Sequence, residues 1–115
     1  MQTETEIQKL IALLKDKNLV TRRSAVQALV NLGAKEAIPY LIDLLKDKYL
    51  VTRRSAVQAL GKLGAKEAIT YLIALLNDPN RDVRCATIVA LGDLGSKEAI
   101  KHLIALLNDP DDDVR

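Results

Sequence analysis

Few residues in this sequence have side chains suited to catalysis. His102 is the single histidine and Cys85 the single cysteine. A zinc or iron site needs several nitrogen, sulfur or carboxylate ligands at fixed spacings, and a nucleophilic thiol needs a neighbouring base. The paired carboxylates of Asp111 and Asp112 lie in an acidic tail. We therefore expect an inert Cys85, a surface or boundary position for His102, no metal, no cofactor and no enzymatic activity.

Basic side chains are the other group with binding chemistry. Arg23 and Arg54, with lysines at 15, 17, 46 and 48, could meet the phosphates of a nucleic acid. No aromatic residues are interleaved with them as a stacking platform, and a sequence pI of about 8.7 is only mildly basic. A protein partner is therefore the expectation, and nucleic acid is the less favoured alternative.

The elements that position these residues repeat along the chain. The segment Leu10-Ile11-Ala12-Leu13-Leu14 recurs three times, each time 31 residues further on, with Asp43 in place of the alanine in the second unit. The whole chain, 1–115, is thus predicted to be one domain of repeated units. Three units are complete and a fourth is partial, at 4–34, 35–65, 66–96 and 97–115. The first and second units are identical at 22 of 31 positions, which indicates duplication of one structural unit.

Each unit is predicted to be a pair of helices. In the second unit, apolar residues at helical spacing predict a first helix over 35–46 and a second over 51–63. Gly64 follows the second helix, as do Gly33 and Gly95 in their units, and each is placed as a left-handed cap. One such pair cannot bury its apolar faces alone. The predicted fold class is therefore all-α, a right-handed α-α superhelix of about seven helices.

The sequence resembles the HEAT-like repeats named after the phycobilisome lyases, which also served as the template for artificial helical repeat binders. The pattern Leu-Ile-x-Leu-Leu-x-Asp-Pro-x-x-x-Val-Arg begins at Leu72, and Ala-Leu-Gly-x-Leu-Gly follows at 90–95. The first two units depart from it, with Asp-Lys at 16–17 and 47–48 and threonine at 21 and 52. The resemblance implies a non-catalytic interaction scaffold. The similarity of units one and two also fits a designed or recombined array, and the partial fourth unit fits a structural fragment; either could lack a partner of its own.

An aspartate and an arginine six residues apart occur in every unit. The aspartate lies near the positive N-terminal end of the second helix, and the arginine lies in that helix's first turn. The resemblance implies a structural ladder between repeats, and the arginine could reach an aspartate of its own or of a neighbouring unit. The eight residues are Asp16, Arg22, Asp47, Arg53, Asp78, Arg84, Asp109 and Arg115.

The second helices are expected to line a concave surface. On a helical wheel, one set of positions lies opposite the conserved apolar stripe and differs between units, as a binding surface on a fixed scaffold would. The predicted partner-binding residues are Arg23, Gln27, Asn31, Arg54, Gln58, Lys62, Cys85, Val89 and Asp93. Val30, Gly61 and Gly92 are assigned to the same side of the helices. The alternative is that these positions are merely solvated.

Charge changes sign along the stack. The net charge is +2 in the first unit, +3 in the second, −1 in the third and −2 in the partial fourth. A partner of matching polarity would be steered accordingly. The last predicted helix, 97–107, would expose Leu103, Leu106 and Leu107 at an uncapped end, which suggests self-association or a longer array. No apolar run is long enough for a membrane span, and the lone cysteine favours the cytoplasm.

Overall fold

The computed structural model describes residues 2–106. This part of the chain contains seven α-helices and no strand. The helices are α1 (Gln2–Leu13), α2 (Leu19–Asn31), α3 (Ile38–Asp43), α4 (Leu50–Lys62), α5 (Ile69–Ala74), α6 (Arg81–Asp93) and α7 (Ile100–Leu106). Within each unit the first helix packs on the second, as α1 does on α2, α3 on α4 and α5 on α6. The second helices also pack on one another, α2 on α4 and α4 on α6.

The first helix of the second unit is not an α-helix throughout. The predicted span of 35–46 is helical along its length, but α3 is flanked by two 3-10 turns, Lys35–Ala37 and Leu44–Lys46. The same division recurs around α5. Tighter i to i+3 hydrogen bonds are common in the last turns of helices, where carbonyl groups lose their usual partners. Pro39 lies in the first turn of α3, where its missing N–H leaves no hydrogen bond unmade.

Glycine ends each of the three long second helices. Gly33, Gly64 and Gly95 have φ values of 62°, 68° and 64°, so the predicted left-handed caps are confirmed. In the first unit the N–H of Ala34 donates to the carbonyl of Leu29 at 3.0 Å. This hydrogen bond satisfies a carbonyl group that has no partner within the helix at its C-terminal end. It also turns the chain sharply into the first helix of the next unit.

Side-chain caps begin two of the second helices. Asn18 accepts hydrogen bonds from the N–H groups of Val20 and Thr21, and Asn80 does the same at the start of α6. Tyr49 takes this place before α4 and makes no side-chain cap. α4 therefore begins without the local stabilisation that its two neighbours have.

The core is built mainly from leucine, isoleucine, valine and alanine. Leucine side chains of both helices of the units are fully buried, including Leu29, Leu60 and Leu91 at equivalent places in the second helices. These residues belong to one cluster that continues from the first unit to the start of the fourth. Because each unit completes its core against the next, the fold is an α-solenoid, which confirms the predicted class.

Candidate partner-binding surface

The nine predicted binding residues lie on the three second helices, on the side that points to solvent. Eight of them are exposed, and Cys85 is half-buried. In α2, the amide nitrogen of Gln27 donates to the side-chain oxygen of Asn31 at 3.2 Å. The fold therefore places these residues on one continuous face, at positions that keep their register from unit to unit.

A groove between α4 and α6 brings six of the nine residues together. Its volume is about 410 Å³. Its lining residues are Arg54, Gln58, Lys62, Asp82, Cys85, Ala86, Val89, Ala90 and Asp93. A smaller groove of about 70 Å³ lies between α2 and α4, and Arg23 and Gln27 line it together with Gln58 and Lys62. The two grooves share the side chains of Gln58 and Lys62, so the surface is continuous across the three helices.

Three exposed residues of this surface, one on each second helix, are not among the predicted binding residues. Val20, Val51 and Asp82 lie three residues before Arg23, Arg54 and Cys85, a spacing that puts them on the same side of each helix. Val20 is 73% exposed and Asp82 lines the larger groove. The spacing alone could have identified these three residues. We call the resulting twelve residues the second-helix face: Val20, Arg23, Gln27, Asn31, Val51, Arg54, Gln58, Lys62, Asp82, Cys85, Val89 and Asp93.

Val30 and Gly61, which the helical wheel assigns to this side of the helices, are not exposed there. Val30 is half-buried and Gly61 is buried. A Cβ on Gly61 would lie 3.1 Å from the Cα of Ala90, so this position faces the neighbouring helix. The assignment of Val30 and Gly61 to the exposed side is therefore wrong. A helical wheel gives only the direction away from the core and does not show which side meets the next repeat.

The second-helix face carries opposite charges at its two ends. Arg23 contributes one positive charge in α2, and Arg54 with Lys62 contributes two in α4. In α6 the charged members are Asp82 and Asp93, both negative. The surface thus changes from basic to acidic between α4 and α6, at the larger groove.

Aspartate and arginine side chains join consecutive units at the edge of this face. Arg22 in α2 bonds to Asp47 of the second unit, Nη1 to Oδ1, at 3.1 Å. Arg53 bonds to Asp78 of the third unit through two nitrogens, at 2.9 and 3.2 Å. The contacts therefore run to the next unit, one of the two arrangements that the sequence left open.

Each arginine also contacts its own unit. Arg53 and Arg84 donate to the main-chain carbonyl oxygens of Asp47 and Asp78, at 3.0 and 2.8 Å. The aspartate side chain in turn accepts the N–H two residues later, as Asp78 does from Asn80 at 2.9 Å. The turn between the two helices is thus held by the same residues that join the units. Asp109 and Arg115 lie outside the described residues.

The residues considered for catalysis are separate in space. His102 is exposed on α7, and Cys85 lies in the groove between α4 and α6. Within residues 2–106, no three His, Cys, Asp or Glu side chains are grouped so that they could hold a metal ion. No helix in this same stretch has both the length and the apolar character that crossing a membrane requires.

A stack of helical hairpins with an exposed face of variable residues defines a helical repeat scaffold. A family model for HEAT repeats matches residues 2–60 and 50–115, and the chain therefore belongs to the HEAT repeat family. The resemblance found in the sequence is thus confirmed.

Two solved structures resemble this chain over most of its length. One chain in the complex of CpcE and CpcF of phycocyanin lyase from Nostoc sp. PCC7120 is 34% identical, with a TM-score of 0.83 over 90% of this chain and 42% of that one. An engineered protein is 23% identical, with a TM-score of 0.68 over 95% of this chain and 57% of that one. This chain therefore spans less than two-thirds of either protein. A comparison with curated proteins gave no match.

Proposed function

We propose that this chain is a non-catalytic scaffold that binds a partner protein through the second-helix face. The observation that carries the proposal is the contrast between the face and the core. Arg23 and Arg54 are replaced by Cys85 in the third unit, and Gln27 and Gln58 by Val89, while the buried leucines behind them stay the same. Repeats that keep their core and vary one surface can present a binding site without changing the fold.

Two further observations support a protein as the partner. The similar chain from Nostoc belongs to a complex of two proteins, CpcE and CpcF. The larger groove also combines apolar and charged side chains, with Val89 63% exposed beside Lys62 and Asp93. Protein interfaces commonly have an apolar centre with a polar rim.

The face is poorly suited to nucleic acid. Arg23 and Arg54 are basic residues at equivalent positions of the first two units, but the equivalent residue of the third unit is Cys85. Asp82 and Asp93 stand on either side of it and would repel phosphates. Nucleic acid therefore remains the weaker alternative.

A pull-down with matched variants tests the proposal. The test variant is Arg23→Glu, Arg54→Glu, Lys62→Glu. The control is Lys35→Glu, Lys66→Glu, Lys97→Glu, which changes the net charge equally at exposed positions outside the second-helix face. Circular dichroism first establishes that all three chains are equally helical.

We expect a protein that the original chain and the control variant both capture and the test variant loses. Capture of the same protein by the test variant would refute binding through this face. Capture of nucleic acid, lost only in the test variant, would establish the alternative.

A further inference from the structure

The groove between α4 and α6 differs from the one between α2 and α4 in depth and in charge. Its volume is about 410 Å³, against about 70 Å³ for the other. Val30 lines the smaller groove, whereas the equivalent Gly61 is buried, and a Cβ there would lie 3.1 Å from the Cα of Ala90. The larger groove can therefore receive side chains that the smaller one excludes.

The two walls of the larger groove carry opposite charges. Arg54 and Lys62 lie eight residues apart on α4, which is about 12 Å at 1.5 Å per residue. Asp82 and Asp93 lie eleven residues apart on α6, about 16 Å by the same rise. The groove is thus about three helical turns long, basic along one side and acidic at both ends of the other.

Apolar side chains line the groove on the side of α6. Cys85, Ala86, Val89 and Ala90 lie there between Asp82 and Asp93 in the sequence, and the side chain of Val89 is 63% exposed. An exposed apolar side chain beside charged residues of both helices matches the pattern of grooves that bind an amphipathic helix, where apolar anchors enter and the flanks pair with charges.

We propose that this groove binds one amphipathic helix of a partner protein, lying along α4 and α6. The inference rests on the proposed function and specifies its partner. Apolar residues at helical spacing contact Ala86 and Val89, carboxylates on one flank pair with Arg54 and Lys62, and basic residues on the other flank pair with Asp82 and Asp93. Both signs are needed, because a helix of one charge would meet repulsion from one wall.

The charge requirement gives a test with a displayed library of helical peptides. The peptides have about 20 residues, long enough for helix formation, with one face and both flanks randomised. They are selected on the intact chain. The enriched peptides are then measured against an all-basic groove, Asp82→Lys with Asp93→Lys, and an all-acidic groove, Arg54→Glu with Lys62→Glu.

Controls with the same charge changes lie away from the groove. Glu36→Lys with Glu67→Lys matches the all-basic variant, and Lys35→Glu with Lys66→Glu matches the all-acidic one, all at exposed positions. We expect enriched peptides with acidic and basic residues on opposite flanks of an apolar face. Their binding weakens at least about tenfold in both groove variants and stays unchanged in both controls, since each groove variant places like charges opposite one flank.

Other results would overturn the inference. Enriched peptides without both charges would refute the charge requirement, and peptides that bind tighter to the all-basic groove would identify a polyanionic ligand. Self-association of the chain in sedimentation, abolished by the all-acidic variant, would identify a second copy as the occupant. A further variant, Arg23→Glu, changes the second-helix face outside the groove. Peptides that lose binding only in this variant would refute the groove and leave the second-helix face in place. If no peptide depends on that face at all, the groove inference fails, and the pull-down with the Arg23→Glu, Arg54→Glu, Lys62→Glu variant decides the proposed function separately.

Discussion

Arg53 holds Asp78 of the next unit through two hydrogen bonds, with Nε and Nη2 at 2.9 and 3.2 Å from the two carboxylate oxygens. The side chains are only 15% and 5% exposed. The equivalent contact between Arg22 and Asp47 is a single bond at 3.1 Å. The contact between the second and third units is therefore stronger than the contact between the first and second. Two parallel hydrogen bonds between an arginine and a carboxylate fix both the distance and the orientation of the side chains.

Arg53→Ala is expected to lower the free energy of unfolding by about 3 kcal/mol. The substitution leaves the buried carboxylate of Asp78 without its charged partner, a loss much greater than that of a surface pair. Lys15→Ala is the matched control. It breaks the pair of Lys15 with Asp43, whose side chains are 74% and 69% exposed, and should cost less than about 1 kcal/mol. Urea unfolding of both variants checks the prediction, and equal losses would contradict it.

Replacing either of two glycines at equivalent places in α4 and α6 by a larger residue should change the stability of the chain, and the two changes should have opposite signs. A Cβ on Gly92 meets nothing within 4 Å, so Gly92→Ala should stabilise the chain by about 0.5 to 1 kcal/mol through helix propensity. Gly61→Val should destabilise it by about 1 to 3 kcal/mol, because Ala90 lies 3.1 Å from the new Cβ. Thermal unfolding measures both, and a stabilising Gly61→Val would refute the close approach of the helices.

The missing cap at the start of α4 predicts a stabilising substitution. Tyr49→Asn should add the hydrogen bonds that Asn80 makes at the start of α6, raising the free energy of unfolding by about 1 kcal/mol. The loss of the contact between the Tyr49 ring and Lys48, at 5.1 Å, offsets little of this gain at an exposed site. Asn80→Ala should lower stability by a similar amount. Denaturant midpoints of the two variants check the prediction, and a shift of the same sign in both would contradict it.

The fold could be predicted from the sequence because one unit recurs without insertions. Leu41, Leu72 and Leu103 keep a spacing of 31 residues, and a fixed period of helical pairs permits little besides a solenoid. The division of the first helices was not predictable in the same way. Around Leu44 and Leu75 the turns in question are only three residues long. Over so short a segment an α-helical turn and a 3-10 turn have similar spacings of apolar residues, and only their hydrogen bonds distinguish them.

The surface could be predicted only in part. A helical wheel places Arg23 and Gln27 away from the core correctly, but it contains no information on neighbouring repeats. It therefore places Gly61 on the exposed side although this residue lies against Ala90, and it does not show that Asp82 lines the groove. The side-chain partner of Arg53 cannot be chosen from the sequence either, because Asp47 and Asp78 occupy equivalent places in consecutive units and only the stacking of the units decides between them.

Site-specific photo-crosslinking tests the central claim most directly. A photoreactive phenylalanine derivative is placed singly at Gln27, Gln58 or Val89 on the second-helix face, and at Tyr40, Tyr71 or His102 on the first helices as controls, all at exposed positions. With the protein that the intact chain captures, crosslinks from the first three positions and none from the controls are predicted. Crosslinks from the first helices alone, or from neither set, would contradict the account.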